Sequence, residues 1–154
     1  GRTSPIVGWL RALARRLHGE VGGPGVGAVG MCFSGGFALG MMVDDITVAP
    51  VLSQPSLPLP LGSERAADLG LSPDDLATVV ERAANGCEVL GLRYRDDPLV
   101  GDRFDTLRDL LGDAFIAVDL PSPDRQHHSV LTEHRDDESV ERVLSFFAER
   151  LLTD

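Results

Sequence analysis

The chain has 154 residues, of which 43% are hydrophobic and 25% charged, enough apolar content for one compact core and without a low-complexity segment. Fourteen basic residues face 24 acidic ones, a formal net charge of -10, which argues against nucleic acid and anionic membrane surfaces as partners. Two cysteines, Cys32 and Cys87, are too few and too far apart for a disulfide scaffold, so a reducing, cytoplasmic setting is expected. No apolar run reaches the roughly 18 residues of a membrane span, and no signal peptide is visible.

Ser4 before Pro5 predicts a helix start, and Ile6, Trp9, Leu10, Leu13 and Leu17 recur at helical spacing with Arg11, Arg15 and Arg16 on other faces. That helix ends near Gly22-Gly23, and the basic cluster reads as its solvated face. After Pro24 comes a strand of small apolar residues, Gly25 to Met31, then Cys32-Phe33-Ser34-Gly35-Gly36 and a helical pattern reaching about Val43. Ile46 to Leu52 is β-branched and apolar and predicts a buried parallel strand. Pro55, Pro58 and Pro60 mark an irregular loop, either a rigid surface connection or one wall of a substrate pocket. Ser72-Pro73 opens a helix with Leu76, Val79, Val80 and Ala83 as its stripe, stopped by Asn85-Gly86. Cys87 to Tyr94 predicts a third strand, with Cys87 as strand core, and Arg95 to Pro98 a turn. Phe104, Leu107, Leu110 and Leu111 place a helix closed by Gly112, and Phe115 to Leu120 a fourth strand. A loop with His127 and His128 follows, then a last helix from about Asp137 that buries Val140, Val143, Leu144, Phe147 and Leu151. Alternation of helix and strand predicts an α/β fold with a mostly parallel sheet of about four strands and helices on both faces.

The stretch Gly25 to Gly36 organises the rest. A strand that reverses into a helix within a residue or two forces the residue at the tip into a strained conformation and requires small neighbours two before and two after it. Gly30 and Ser34 meet that demand for Cys32, whose thiolate would stand at the N-terminus of the following helix. A second register, with Ser34 as nucleophile between Cys32 and Gly36, also fits, but glycine at the minus-two position is the more demanding match. The bland alternative is a buried cysteine acting as a small hydrophobe. Gly25 to Gly30 also spells GxGxxG, the dinucleotide fingerprint, but its residues read as strand where that motif needs an opening helix. No cofactor is expected, and the histidines and cysteines lack zinc-site spacing, so no metal either.

In a parallel sheet the chemistry sits at the C-terminal ends of the strands. The residues there are Cys32, then Asp96 or Asp97, then His127 or His128. The order nucleophile, acid, histidine is that of α/β-hydrolases. Turn aspartates and loop histidines are individually commonplace, and it is the three types in order that point to acyl transfer.

Gly30-Met31-Cys32-Phe33-Ser34-Gly35-Gly36, the Asp97-Pro98-Leu99-Val100 turn and His127-His128-Ser129-Val130 together resemble the dienelactone hydrolase family of α/β-hydrolases, whose nucleophile is a cysteine. The resemblance implies Cys32 as nucleophile, Asp97 as acid, His128 as base and the Phe33 backbone N–H as an oxyanion donor in a carboxylic ester hydrolase acting on a small-molecule ester or lactone. The family usually has glycine in place of Ser34. Members that cleave dienelactone carry an arginine shortly after the histidine; here the fourth residue on is Thr132 and the nearest arginine is Arg135, so a generic ester or lactone is the expected substrate. The family fold also has about four further strands before the elbow. The resemblance therefore implies that residues 1–154 form the C-terminal portion of such a domain, with the first strand an exposed edge open to self-association. The alternative is a truncated, non-catalytic module that associates through that edge.

Overall fold

The computed structural model describes residues 2–152. The chain runs α1 (Pro5–Val21), β1 (Val26–Met31), α2 (Gly35–Met41), β2 (Thr47–Ser53), α3 (Ser63–Ala67), α4 (Pro73–Ala84), β3 (Val89–Tyr94), α5 (Arg103–Leu111), β4 (Phe115–Leu120) and α6 (Asp137–Leu151). The strands form one sheet in the order β1-β2-β3-β4, and every neighbouring pair is parallel. Gly25 to Gly30 lead into and run along β1, so the GxGxxG string does not open a helix.

Alternation along the strands separates two cores. Ala49 and Val51 of β2 and Leu90 and Leu92 of β3 pack with Val143 and Phe146 of α6. The other face holds Leu52 and Val89 with Ala38 and Leu39 of α2, Val79 of α4 and Phe104 and Leu107 of α5. Helices therefore cover both faces, with α6 alone on one of them. Phe104, fully buried, meets Phe115 edge-on with ring centroids 5.1 Å apart, and burying such a side chain stabilises by about 1.5–3 kcal/mol.

Ser4 and Ser72 cap α1 and α4, accepting from the amides of Ile6 at 3.4 Å and Asp75 at 3.3 Å, as the Ser-Pro starts predict. Four expectations are corrected. β3 begins at Val89, so Cys87 precedes the strand and is only partly buried. The short α3 was not anticipated, because its five residues carry no apolar period. On α6 Val143 is buried as expected and Phe147 and Leu151 pack partly buried on the same core, but Ser139 and Phe146 are buried as well and Leu144 is 55% exposed. On α1 the buried residues are Val7 and Ala14. Trp9, at 65% exposure, and Leu17, at 49%, face outward, whereas Arg11 turns inward to the Gly40 carbonyl at the end of α2. With β1 at the edge of the sheet, α1 packs on α2, and among the described residues no layer covers its apolar stripe. Among the described residues no helix is long and apolar enough to cross a membrane.

Candidate active site

β1 passes into a 3-10 turn over Cys32–Ser34 and then into α2. Cys32 has φ 53°, a left-handed conformation that costs a non-glycine residue about 1–2 kcal/mol. Neighbours hold it there. The Ser34 hydroxyl accepts from the Met31 amide at 3.1 Å and donates to the Met31 carbonyl at 2.9 Å. A Cβ on Gly30 would stand 2.1 Å from the Ser34 carbonyl oxygen, so the residue two before the cysteine has to be glycine. Ser34, the nucleophile of the second register, is occupied in closing this turn.

Asp97 follows β3 in a tight turn. Its Oδ1 accepts from the Leu99 amide at 3.0 Å, and its Oδ2 lies 2.5 Å from His128 Nδ1. The carboxylate is almost completely shielded, with a side-chain exposure of 1%. Asp96 beside it is exposed, and its amide donates to Ser122 Oγ at 2.8 Å. His127 turns instead to Asp124, with Nδ1 2.9 Å from Oδ1, and its ring packs against Tyr94 and His134. The His128 amide donates to His134 Nδ1 at 3.2 Å. Of the two acids and two histidines that the sequence left open, Asp97 and His128 are the ones that meet.

The hydrogen bond to Asp97 raises the His128 pKa; burial opposes it, and the Cys32 sulfur adds to it, leaving the imidazole at about 9. At neutral pH the ring is therefore an imidazolium. Its Nε2 is buried and has no hydrogen-bond partner among the described residues. For Cys32, burial pushes the thiol up, but the Ser56 hydroxyl, His128 and the Phe33 amide together outweigh it and bring the pKa below the usual thiol value. The sulfur is outside strict hydrogen-bond geometry from Nε2, yet each group shifts the other's proton affinity.

Two residues escaped the sequence reading. Ser56 is 1% exposed, and its Oγ lies 3.2 Å from the Cys32 sulfur while its amide donates to the Cys32 carbonyl at 3.1 Å. Gln54, with φ 35°, accepts from the Val130 amide at 3.4 Å, two residues beyond His128. Their position just after β2, at the C-terminal end of the strands, was the one available signal. The same loop continues into Leu57 and Pro58, which with Arg2, Phe33, Phe37 and Leu69 line a cavity of about 400 Å³. Arg135 pairs with Asp137 at 2.7 Å on the exposed start of α6. Cys87 is raised by burial and lies 3.8 Å from the Thr47 carbonyl, a poor setting for a thiolate.

The fold and site define an α/β chain with a four-stranded parallel sheet, which carries a cysteine at a strained strand-to-helix turn and an aspartate–histidine pair at the ends of later strands. Comparison with known proteins found no matching family model, no matching curated protein and no matching solved structure.

Proposed function

We propose that this chain is a carboxylic ester hydrolase of the dienelactone hydrolase kind, with the α/β-hydrolase arrangement of nucleophile, acid and histidine. The observation that carries the reading is the buried Asp97–His128 contact at 2.5 Å, on a site whose cysteine is held at φ 53°. The Cys32 thiolate attacks the carbonyl carbon of an uncharged ester or lactone, and the oxyanion accepts from the Phe33 N–H. Collapse of that intermediate breaks the C–O bond, and the leaving alkoxide takes the Nε2 proton of His128. Neutral His128 then removes a proton from water, which attacks the thioester and returns Cys32 to the thiolate. Asp97 keeps the imidazole oriented and stabilises its charged form. The largely apolar cavity lined by Phe33 and Leu57 suits an apolar acyl or alkyl group.

Turnover of p-nitrophenyl acetate together with iodoacetamide labelling tests this. Cys32→Ala is expected to abolish turnover and the fast labelling, leaving only slow reaction at the partly buried Cys87, while Ser34→Ala keeps turnover within about tenfold. Turnover that survives Cys32→Ala and disappears in Ser34→Ala would move the chemistry to Ser34. A second reading, a non-catalytic module that pairs through its sheet edge, is favoured by the exposure of Val29 at 41% and Met31 at 39% on β1. Fast labelling without turnover of any ester tested would support it.

A further inference from the structure

We propose that Ser56 is a further catalytic residue of this site, whose hydroxyl donates to the Cys32 sulfur and holds it as a thiolate at the tip of the turn. The inference rests on the reading of Cys32 as nucleophile and adds a residue that the triad lacks. Ser56 is 1% exposed, and a buried hydroxyl has to find a partner. The partner it has is the sulfur, at 3.2 Å. An O–H directed at an anionic acceptor is stronger than a neutral hydrogen bond, so donation from Ser56 favours thiolate over thiol.

The contact is built in rather than accidental. The Ser56 amide is anchored on the Cys32 carbonyl at 3.1 Å, so backbone and side chain both address the same residue. The loop lies so close to the elbow helix that a Cβ on Gly35 would stand 2.5 Å from Pro55 Cα. Two non-glycine residues among those described have positive φ, Cys32 and Gln54. The second begins this loop, and its side chain reaches the amide of Val130 on the histidine loop. Backbone strain persists where surroundings over-determine it and clusters where it serves function. Here both strained positions belong to one bracket running from the base loop, through Gln54 and Ser56, to the nucleophile.

The test is the pH dependence of alkylation at Cys32 by iodoacetamide, mapped by peptide mass, in wild type, Ser56→Ala, Ser56→Gly and Ser56→Thr. Removal of the hydroxyl is expected to move the midpoint upward by about one pH unit, which is about tenfold less thiolate below both midpoints, with the high-pH plateau kept within about threefold. Ser56→Thr retains the hydroxyl and is expected to keep the wild-type midpoint. Alanine and glycine remove the same group in different ways, so the measurement does not hang on the folding of one variant. An unchanged midpoint in whichever of the two folds would overturn the proposal. Alkylation needs no acyl substrate, so a shifted midpoint without ester turnover would overturn hydrolysis and leave Ser56 in place, whereas turnover with an unshifted midpoint would do the reverse.

Discussion

A methyl group added at Gly30 would sit 2.1 Å from the Ser34 carbonyl oxygen and 2.8 Å from that of Gly35. Both obstacles are backbone, so no rotamer change relieves them. Gly30→Ala is expected to open the turn, lower stability by about 2–4 kcal/mol in urea unfolding and bring Cys32 alkylation to the rate of an ordinary thiol. Alkylation unchanged from wild type would mean that the turn is not what activates the sulfur. The imidazole offers a second residue-scale test once the sulfur's own titration is removed. In Cys32→Ala the bond to Asp97 still favours the charged ring, so the folded pKa remains above the unfolded value of about 6.5. A raised folded pKa stabilises the protein fully below the unfolded pKa and loses that contribution as pH rises through the folded one. Stability of Cys32→Ala is therefore expected to fall between about pH 6.5 and a point at or below about 9, with no such fall in Cys32→Ala/Asp97→Asn.

At the scale of elements, periodicity made the four strands and the longer helices legible, because each strand or helix carries one apolar pattern. It did not say which stripes have something to lie against. Trp9, Leu13 and Leu17 form a correct helical stripe that stays in solvent, since among the described residues β1 has no further strand beside it and α1 leans on α2 through Val7 and Ala14. Strand ends narrowed the candidates to Cys32, Asp96 or Asp97, and His127 or His128, because chemistry in a parallel sheet gathers there; within each pair only the family resemblance chose, and the contact between Asp97 and His128 depends on side-chain directions that spacing does not give. Ser56 and Gln54 sat in the same kind of place but inside a proline-rich loop with no periodic pattern to say which way a side chain points. The open edge has a consequence of its own. No charged residue occurs between Glu20 and Asp44, so β1 lacks the charges that discourage edge pairing. Sedimentation velocity is expected to show concentration-dependent self-association, weakened in Trp9→Glu/Met31→Lys while urea stability changes by no more than about 0.5 kcal/mol for each exposed substitution. A monomer over the whole accessible concentration range would remove the edge as an association surface.

At the scale of the whole molecule, the parts of the site come from loops far apart in sequence, and one buried cation joins two of them. Arg103 is 1% exposed. It donates to the carbonyls of Asp68 at 2.9 Å, Leu99 at 3.2 Å, Val100 at 2.8 Å and Arg65 at 3.0 Å, and also to that of Pro58. Pro58 to Asp68 belong to the segment that begins with Gln54 and Ser56, while Leu99 and Val100 belong to the turn that carries Asp97. Periodicity is silent on Arg103, since nothing in a one-dimensional pattern reveals five carbonyls converging on one position. Burial pushes its pKa down, partly offset by the charge of Asp68; five fixed donors suit that role as no other side chain does. Arg103→Met strands those carbonyls away from water, each at about 1–3 kcal/mol if left unmade and not additively. A loss of about 3–5 kcal/mol in urea unfolding is expected, a large share of the roughly 5–15 kcal/mol that holds a domain together. Arg103→Lys keeps the charge but has three donors on one nitrogen, and it is expected to recover less than half of that loss. Since the cation braces both the sulfur's loop and the aspartate's turn, the Cys32 alkylation midpoint is expected to rise in Arg103→Lys even where the protein remains folded. A folded Arg103→Lys with the wild-type midpoint would show that the two loops hold their places without it.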